Sequence, residues 1–160
     1  YFLSLINSTQ GKMQPTDREI IKNGMQVSWH YEGETIAIEL KAPTTGWLAI
    51  GFNEKPSLKG TYLVMTRIRN DIPLIEEHYT FDHGDYRSFK SLNLKSNVSA
   101  VSGCEIIGKS KIRFSLPVNS DGKFTKLLKK GMKYYLILAF SRSDDFQHHS
   151  VMRTTVAVEL

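Results

Sequence analysis

The chain carries one cysteine, Cys104, among 160 residues. A single thiol excludes an intramolecular disulfide framework and any thiolate cluster for zinc or iron–sulfur. Lying in a strand-like run, Cys104 reads as a buried, inert thiol. No stretch approaches the roughly 20 apolar residues of a membrane-spanning helix, so no transmembrane segment is expected. Helical periodicity is missing as well, apart from about one turn around residues 124–130 that Gly131 closes. There is no His-Glu-x-x-His pair and no Gly-x-Ser-x-Gly elbow, and serines, histidines and aspartates scattered along a chain do not make a triad. Nothing here points to an enzyme. Internal repeats and low-complexity segments are absent.

Charge of one sign is also in short supply. Lysine and arginine number 21 against 16 aspartates and glutamates, a net charge of +5. The basic residues are spread out, with one tight cluster at Lys126, Lys129 and Lys130. Without a basic stripe interleaved with aromatics, no nucleic-acid partner is expected. Hydrophobic residues at 41% and charged residues at 23% fit a globular domain with its own core.

What the sequence does hold is β-pattern. Residues 1–24 read as a lead-in segment punctuated by Gly11, Pro15 and Asn23-Gly24. The opening Tyr1–Gly11 has the look of a trimmed export signal. From residue 25 to 160 the chain reads as a single domain. Met25, Val27, Trp29 and Tyr31 alternate with polar residues, and after a turn at Glu32-Gly33 so do Ile36, Ile38 and Leu40. Gly46–Phe52 is apolar on both faces, as a central strand covered on both sides would be, and Gly51 within it signals a bulge or a close approach. Strands follow at residues 61–69, 72–81, 98–107 and 111–116, with a polar, irregular segment at 82–95. About nine strands with frequent turns make an all-β sandwich or barrel.

The last two strands flank a polar connection carrying Asp144, Asp145, His148 and His149. A polar loop between strong strands is where a rigid scaffold presents a ligand site. Adjacent histidines point to opposite faces of an extended chain, which would leave one of the two directed inward. His30 reads as a solvent-facing strand residue, and His78 and His83 as part of a solvated loop with Asp82 and Asp85. Met65 and Met152 are the thioethers that, with an imidazole opposite, would complete a low-spin haem site.

The order of motifs resembles the DOMON domain superfamily, in particular its small exported bacterial members. The residues that carry the likeness are the Gly46–Phe52 strand, the Lys59-Gly60 step, and Leu127–Arg153 with its Leu-Ala-Phe strand, Asp-Asp-Phe, histidine and arginine. The resemblance implies an immunoglobulin-like β-sandwich of about nine to eleven antiparallel strands. It implies a non-catalytic ligand-binding module, exported to a periplasmic, cell-surface or extracellular setting. The ligand would be b-type haem for electron transfer with a redox partner protein, or a carbohydrate or other small ligand in the same pocket.

Carried over residue by residue, the iron-binding histidine is His149, or His148 if the loop differs by one residue. Where haem-binding members have methionine, this chain has Leu58, which cannot ligate iron. Either Met65 or Met152 substitutes, or the iron is five-coordinate, or no haem is bound. Trp47, Ile50, Phe52 and Leu58 would wall the pocket, and Arg153, Arg142 and Lys59 would meet the haem propionates. For a sugar, Trp47, Tyr62, Tyr86 and Phe146 would stack, and Asp144, Asp145 and Arg153 would bind hydroxyls. Asn-x-Ser/Thr sequons at Asn7 and Asn97 would matter in a eukaryotic source.

Overall fold

The computed structural model describes residues 18–120 and 122–160. The export-signal reading of Tyr1–Gly11, the sequon at Asn7 and most of the lead-in lie outside the described residues. Among the described residues eleven strands occur: β1 Arg18–Lys22, β2 Met25–Glu32, β3 Thr35–Ala42, β4 Leu48–Asn53, β5 Tyr62–Arg69, β6 Ile72–Asp82, β7 Asp85–Ser88, β8 Ser99–Ile106, β9 Lys109–Pro117, β10 Lys133–Phe140 and β11 Met152–Glu159. They form an antiparallel β-sandwich, one sheet ordered β1-β2-β3-β9-β8 and the other β11-β10-β4-β5-β6-β7. No helix occurs among the described residues, and so none that could cross a membrane.

Period-2 alternation builds the core. Met25, Val27 and Trp29 on β2, Ile36, Ile38 and Leu40 on β3, and Ile112, Phe114 and Leu116 on β9 all turn inward from the five-stranded sheet. They meet Leu48, Ile50 and Phe52 of β4, Tyr62 and Val64 of β5, and Leu136 and Leu138 of β10. Phe52 sits between two tyrosines, 6.1 Å from the Tyr62 ring and 6.2 Å from that of Tyr134. Burying a side chain of this size contributes roughly 1.5–3 kcal/mol.

Beneath Tyr62 lies a buried carboxylate. Glu77 accepts from the Tyr62 hydroxyl and, at 2.9 and 2.7 Å, from the side-chain and backbone amides of Asn97. Burial and this neighbouring charge push the Tyr62 hydroxyl pKa well above its ordinary value.

Three hairpins turn on two residues with both φ positive: Asn23-Gly24, Asn70-Asp71 and Ile107-Gly108. Part of the stretch read as lead-in is therefore a strand, β1, closed onto β2 by Asn23-Gly24. The next turn falls at Gly33-Glu34, one residue later than expected. The expected helical turn near 124–130 does not form. Its carbonyls go to tyrosine hydroxyls instead, Leu128 O to Tyr31 and Leu127 O to Tyr134. The segment read as irregular contains β7, paired to β6. Cys104 is exposed, not buried, because β8 is an edge strand whose outer face no layer covers.

Candidate functional site

Strand β4 is buried on both faces. Leu48, Ile50 and Phe52 point between the sheets, so Trp47, Ala49 and Gly51 point out through the six-stranded sheet. A second, smaller apolar layer covers that outer face, built from Trp47, Ala49, Met65, Ala139 and Phe146 with Leu63 and Tyr86 against it. Beside this layer lies a cavity of about 360 Å³, within the roughly 300–1,000 Å³ of small-ligand sites.

Strand register fixes its floor. One row across the sheet runs Arg153, Ala139, Ala49, Met65, and the next runs Ile137, Gly51, Leu63, His78. Ala139 and Ala49 make the middle of the first row small, so the floor is a trough. Gly51 pairs in regular register, without a bulge, and is needed for the close approach of Thr61: a Cβ there would stand 2.5 Å from Thr61 Cγ2.

Two loops wall the trough from opposite ends of β4. They leave the sandwich at opposite ends, because the antiparallel pairing sets Phe140 of β10 opposite Leu48. Residues 54–61 leave the C-terminal end of β4 and bring Leu58 and Thr61. Buried Asn53 shapes that loop by donating to Ser57 O at 2.7 Å and Lys59 O at 2.9 Å.

Residues 141–151 lie at the other end and bring His148 and His149. Trp47 fixes this loop: its N–H donates to Ser143 O at 2.9 Å, its carbonyl accepts from Ser141 N at 2.9 Å, and its indole donates to His148 O at 3.2 Å. Ser141 Oγ donates to His149 O at 2.9 Å. Gly46 permits the approach, since a Cβ there would lie 2.3 Å from Ser141 O.

Phe146 is the loop's other anchor. Its carbonyl accepts from the Tyr86 hydroxyl, and the Arg67 guanidinium stacks 4.8 Å from its ring centre. Under it lies His78, 6.1 Å away and edge-on. Burial lowers the His78 pKa below its ordinary value, outweighing the Glu76 carboxylate 3.6 Å away that favours the charged ring. His78 is a neutral packing residue. Burial first, and then the charge of Asp145, raises the pKa of Tyr86.

The structure thus gathers Trp47, Leu58, Met65, His148, His149 and Arg153 around one cavity. Both histidines reach its wall, because the chain turns at residues 146–148 rather than running extended. Phe52 and Ile50 do not belong to the site; they face the core between the sheets. Met152 is also misplaced by the sequence reading, since it packs against that core while its neighbour Arg153 turns outward to the cavity. Tyr62 is in the core as well. Lys59 and Arg142 are exposed and do not line the cavity. Asp144 instead serves the loop, its carbonyl accepting from Arg67 at 3.0 Å, and Asp145 caps the turn by accepting from Gln147 N at 2.9 Å.

Sequence reasoning missed His83 and Gly84, which line the cavity from the β6–β7 turn, along with the floor residues Leu63 and Ile137. The signal for the first pair was the His-Gly dipeptide between Asp82 and Asp85, a hairpin turn once β7 is recognised.

The sequence matches the DOMON domain over residues 21–141, a span that stops short of His148 and His149. The structure is similar to the cytochrome domain of cellobiose dehydrogenase from Myriococcum thermophilum, with a TM-score of 0.65 and 9% identity over 90% of this chain and 81% of that one. It is also similar to the cytochrome b domain of pyranose dehydrogenase from Coprinopsis cinerea, with a TM-score of 0.61 and 9% identity over 84% of this chain and 76% of that one. At that identity the likeness is one of fold.

Proposed function

We propose that this chain, which belongs to the DOMON domain family, is a non-catalytic module that binds b-type haem in the outer-face trough and passes electrons in an exported setting. The observation that carries the reading is the trough itself: a narrow apolar floor with imidazoles presented at its wall by an anchored loop. The donor chemistry fits the group. Ala49 and Ala139 leave room for a flat ring, Leu58, Leu63 and Ile137 keep water from its faces, and Arg153 offers a guanidinium matched to carboxylates. His149 is the residue assigned to the iron, with His148 beside it.

Bound there, haem supplies a one-electron couple. The chain's own part is to hold an imidazole at a fixed place and to surround it with apolar side chains. Trp47 does the first by tying the loop through His148 O, and the floor does the second. A redox partner protein follows from this reading as the source or sink of the electron.

A carbohydrate in the same trough has less support. Stacking on a pyranose needs an exposed aromatic face; Tyr62 is in the core and Trp47 and Phe146 are 5% and 6% exposed, which leaves the half-buried Tyr86 as the one candidate at the cavity.

The test is titration of the purified chain with haemin, followed at the Soret band. Saturation at one equivalent by the wild type, with weakened or lost binding in His149→Ala, supports the reading. A wild-type spectrum that remains that of free haemin overturns it.

A further inference from the structure

The geometry points to His83 as the second axial ligand of this site, standing in for the donor that Leu58 cannot supply. This rests on the haem reading above.

The trough has two ends, and donors at one end need an opposite number at the other. His148 and His149 occupy the end at the start of β4. The far end is built from two segments stitched together: Gly60 N donates to Thr80 O at 2.8 Å, and Thr80 N to Thr61 O at 3.0 Å. One segment presents Leu58, whose side chain has no donor atom. The other ends in the β6–β7 turn and presents His83. Leu58 and His83 thus both line the cavity from the end away from the histidine loop, and of the two only His83 carries a lone pair for iron.

Two other donors near the trough, Met65 and His78, do not stand at that wall. Met65 is 2% exposed and belongs to the apolar layer with Trp47, Ala49, Ala139 and Phe146, under the loop rather than at the far wall. His78 lies beneath Phe146 and Tyr86. His83, by contrast, is exposed at the cavity rim. Its backbone is fixed, with its N–H donating to Asp82 Oδ1 at 2.8 Å and Gly84 completing the turn at φ 77. The ring itself is left for a ligand. Two imidazoles would give this member an axial pair different from a thioether and an imidazole, and a lower potential, since methionine ligation raises it.

The experiment uses the full chain loaded with one equivalent of haemin, comparing wild type, His83→Ala, His83→Met and Met65→Leu by absorption, electron paramagnetic resonance and redox titration. The wild type is expected to be low-spin ferric with a bis-imidazole signal. His83→Ala is expected to become high-spin and to return to low-spin when free imidazole is added, with the melting temperature of the haem-free chain unchanged. His83→Met is expected to raise the potential, and Met65→Leu to leave spin state and potential as they were. A haem complex whose spectrum is indifferent to His83→Ala, or whose low-spin signal is lost in Met65→Leu, overturns the assignment and leaves the haem reading standing. A wild type that takes up no haemin overturns both.

Discussion

The indole N–H of Trp47 donates to the carbonyl oxygen of His148 at 3.2 Å, across 101 residues of sequence. The loop that carries the site's imidazoles is thereby fastened to the residue that precedes β4 and helps to build the outer apolar layer. Scaffold and ligand-bearing loop are one unit, which is what a preorganised site requires.

Trp47→Phe keeps an aromatic ring and removes that donor. A stability loss of about 1 kcal/mol from the hydrogen bond is expected, with more from lost packing. Haemin affinity should fall about five-fold if the loop loses a comparable amount of ordering. Thermal melts and the haemin titration read the two effects separately.

Gly46→Ala places a methyl group against backbone, 2.3 Å from Ser141 O. Backbone has no rotamer to escape into, so the 141–151 loop must shift, at a cost of about 1–3 kcal/mol. Denaturant unfolding gives the cost. Amide exchange is expected to show the added mobility in residues 141–151.

Glu77→Ala removes the acceptor that joins Tyr62 to Asn97 beneath the core. Three donors are left without their partner, and a loss of about 3 kcal/mol is expected by denaturant unfolding. Tyr62→Phe removes one bond of the three and should cost less, about 1–2 kcal/mol.

The pKa of His78 is lowered from 6.5, burial outweighing Glu76. A depressed histidine is neutral in the folded chain where the unfolded chain already takes up a proton. The unfolded state then binds more protons, so stability rises with pH in that window. The contribution is complete above about 6.5 and is lost as pH falls from there through the folded value. His78→Phe, which keeps a ring against Tyr86 and Phe146, should flatten the dependence of melting temperature on pH just below 6.5.

Much of this was legible from alternation. The inward faces of β2, β3 and β9 follow from period 2, and β4 stood out as apolar on both faces. The gathering of Trp47, Leu58, His148, His149 and Arg153 followed from motif order. Phe52 and Met152 went to the wrong face although parity decides both: Trp47 and Phe52 are an odd number apart, as are Met152 and Arg153, so neither pair can share a face of one regular strand. His83 was hidden for another reason. Its place depends on the short strand β7 pairing to β6, and four residues, Asp-Tyr-Arg-Ser, carry too little apolar signal to announce a strand. Cys104 was misjudged because strand character does not say which strand lies at an edge.

On the proposed reading, the trough on the outer face of the six-stranded sheet holds haem through the histidine loop. The most direct measurement is the absorption spectrum of the chain after one equivalent of haemin, before and after reduction with dithionite. A Soret band displaced from that of free haemin is expected, moving further to the red and gaining sharp visible bands on reduction, with these features lost in His149→Ala. A wild-type spectrum that stays that of free haemin in both oxidation states, or one that His149→Ala leaves unchanged, would contradict that reading.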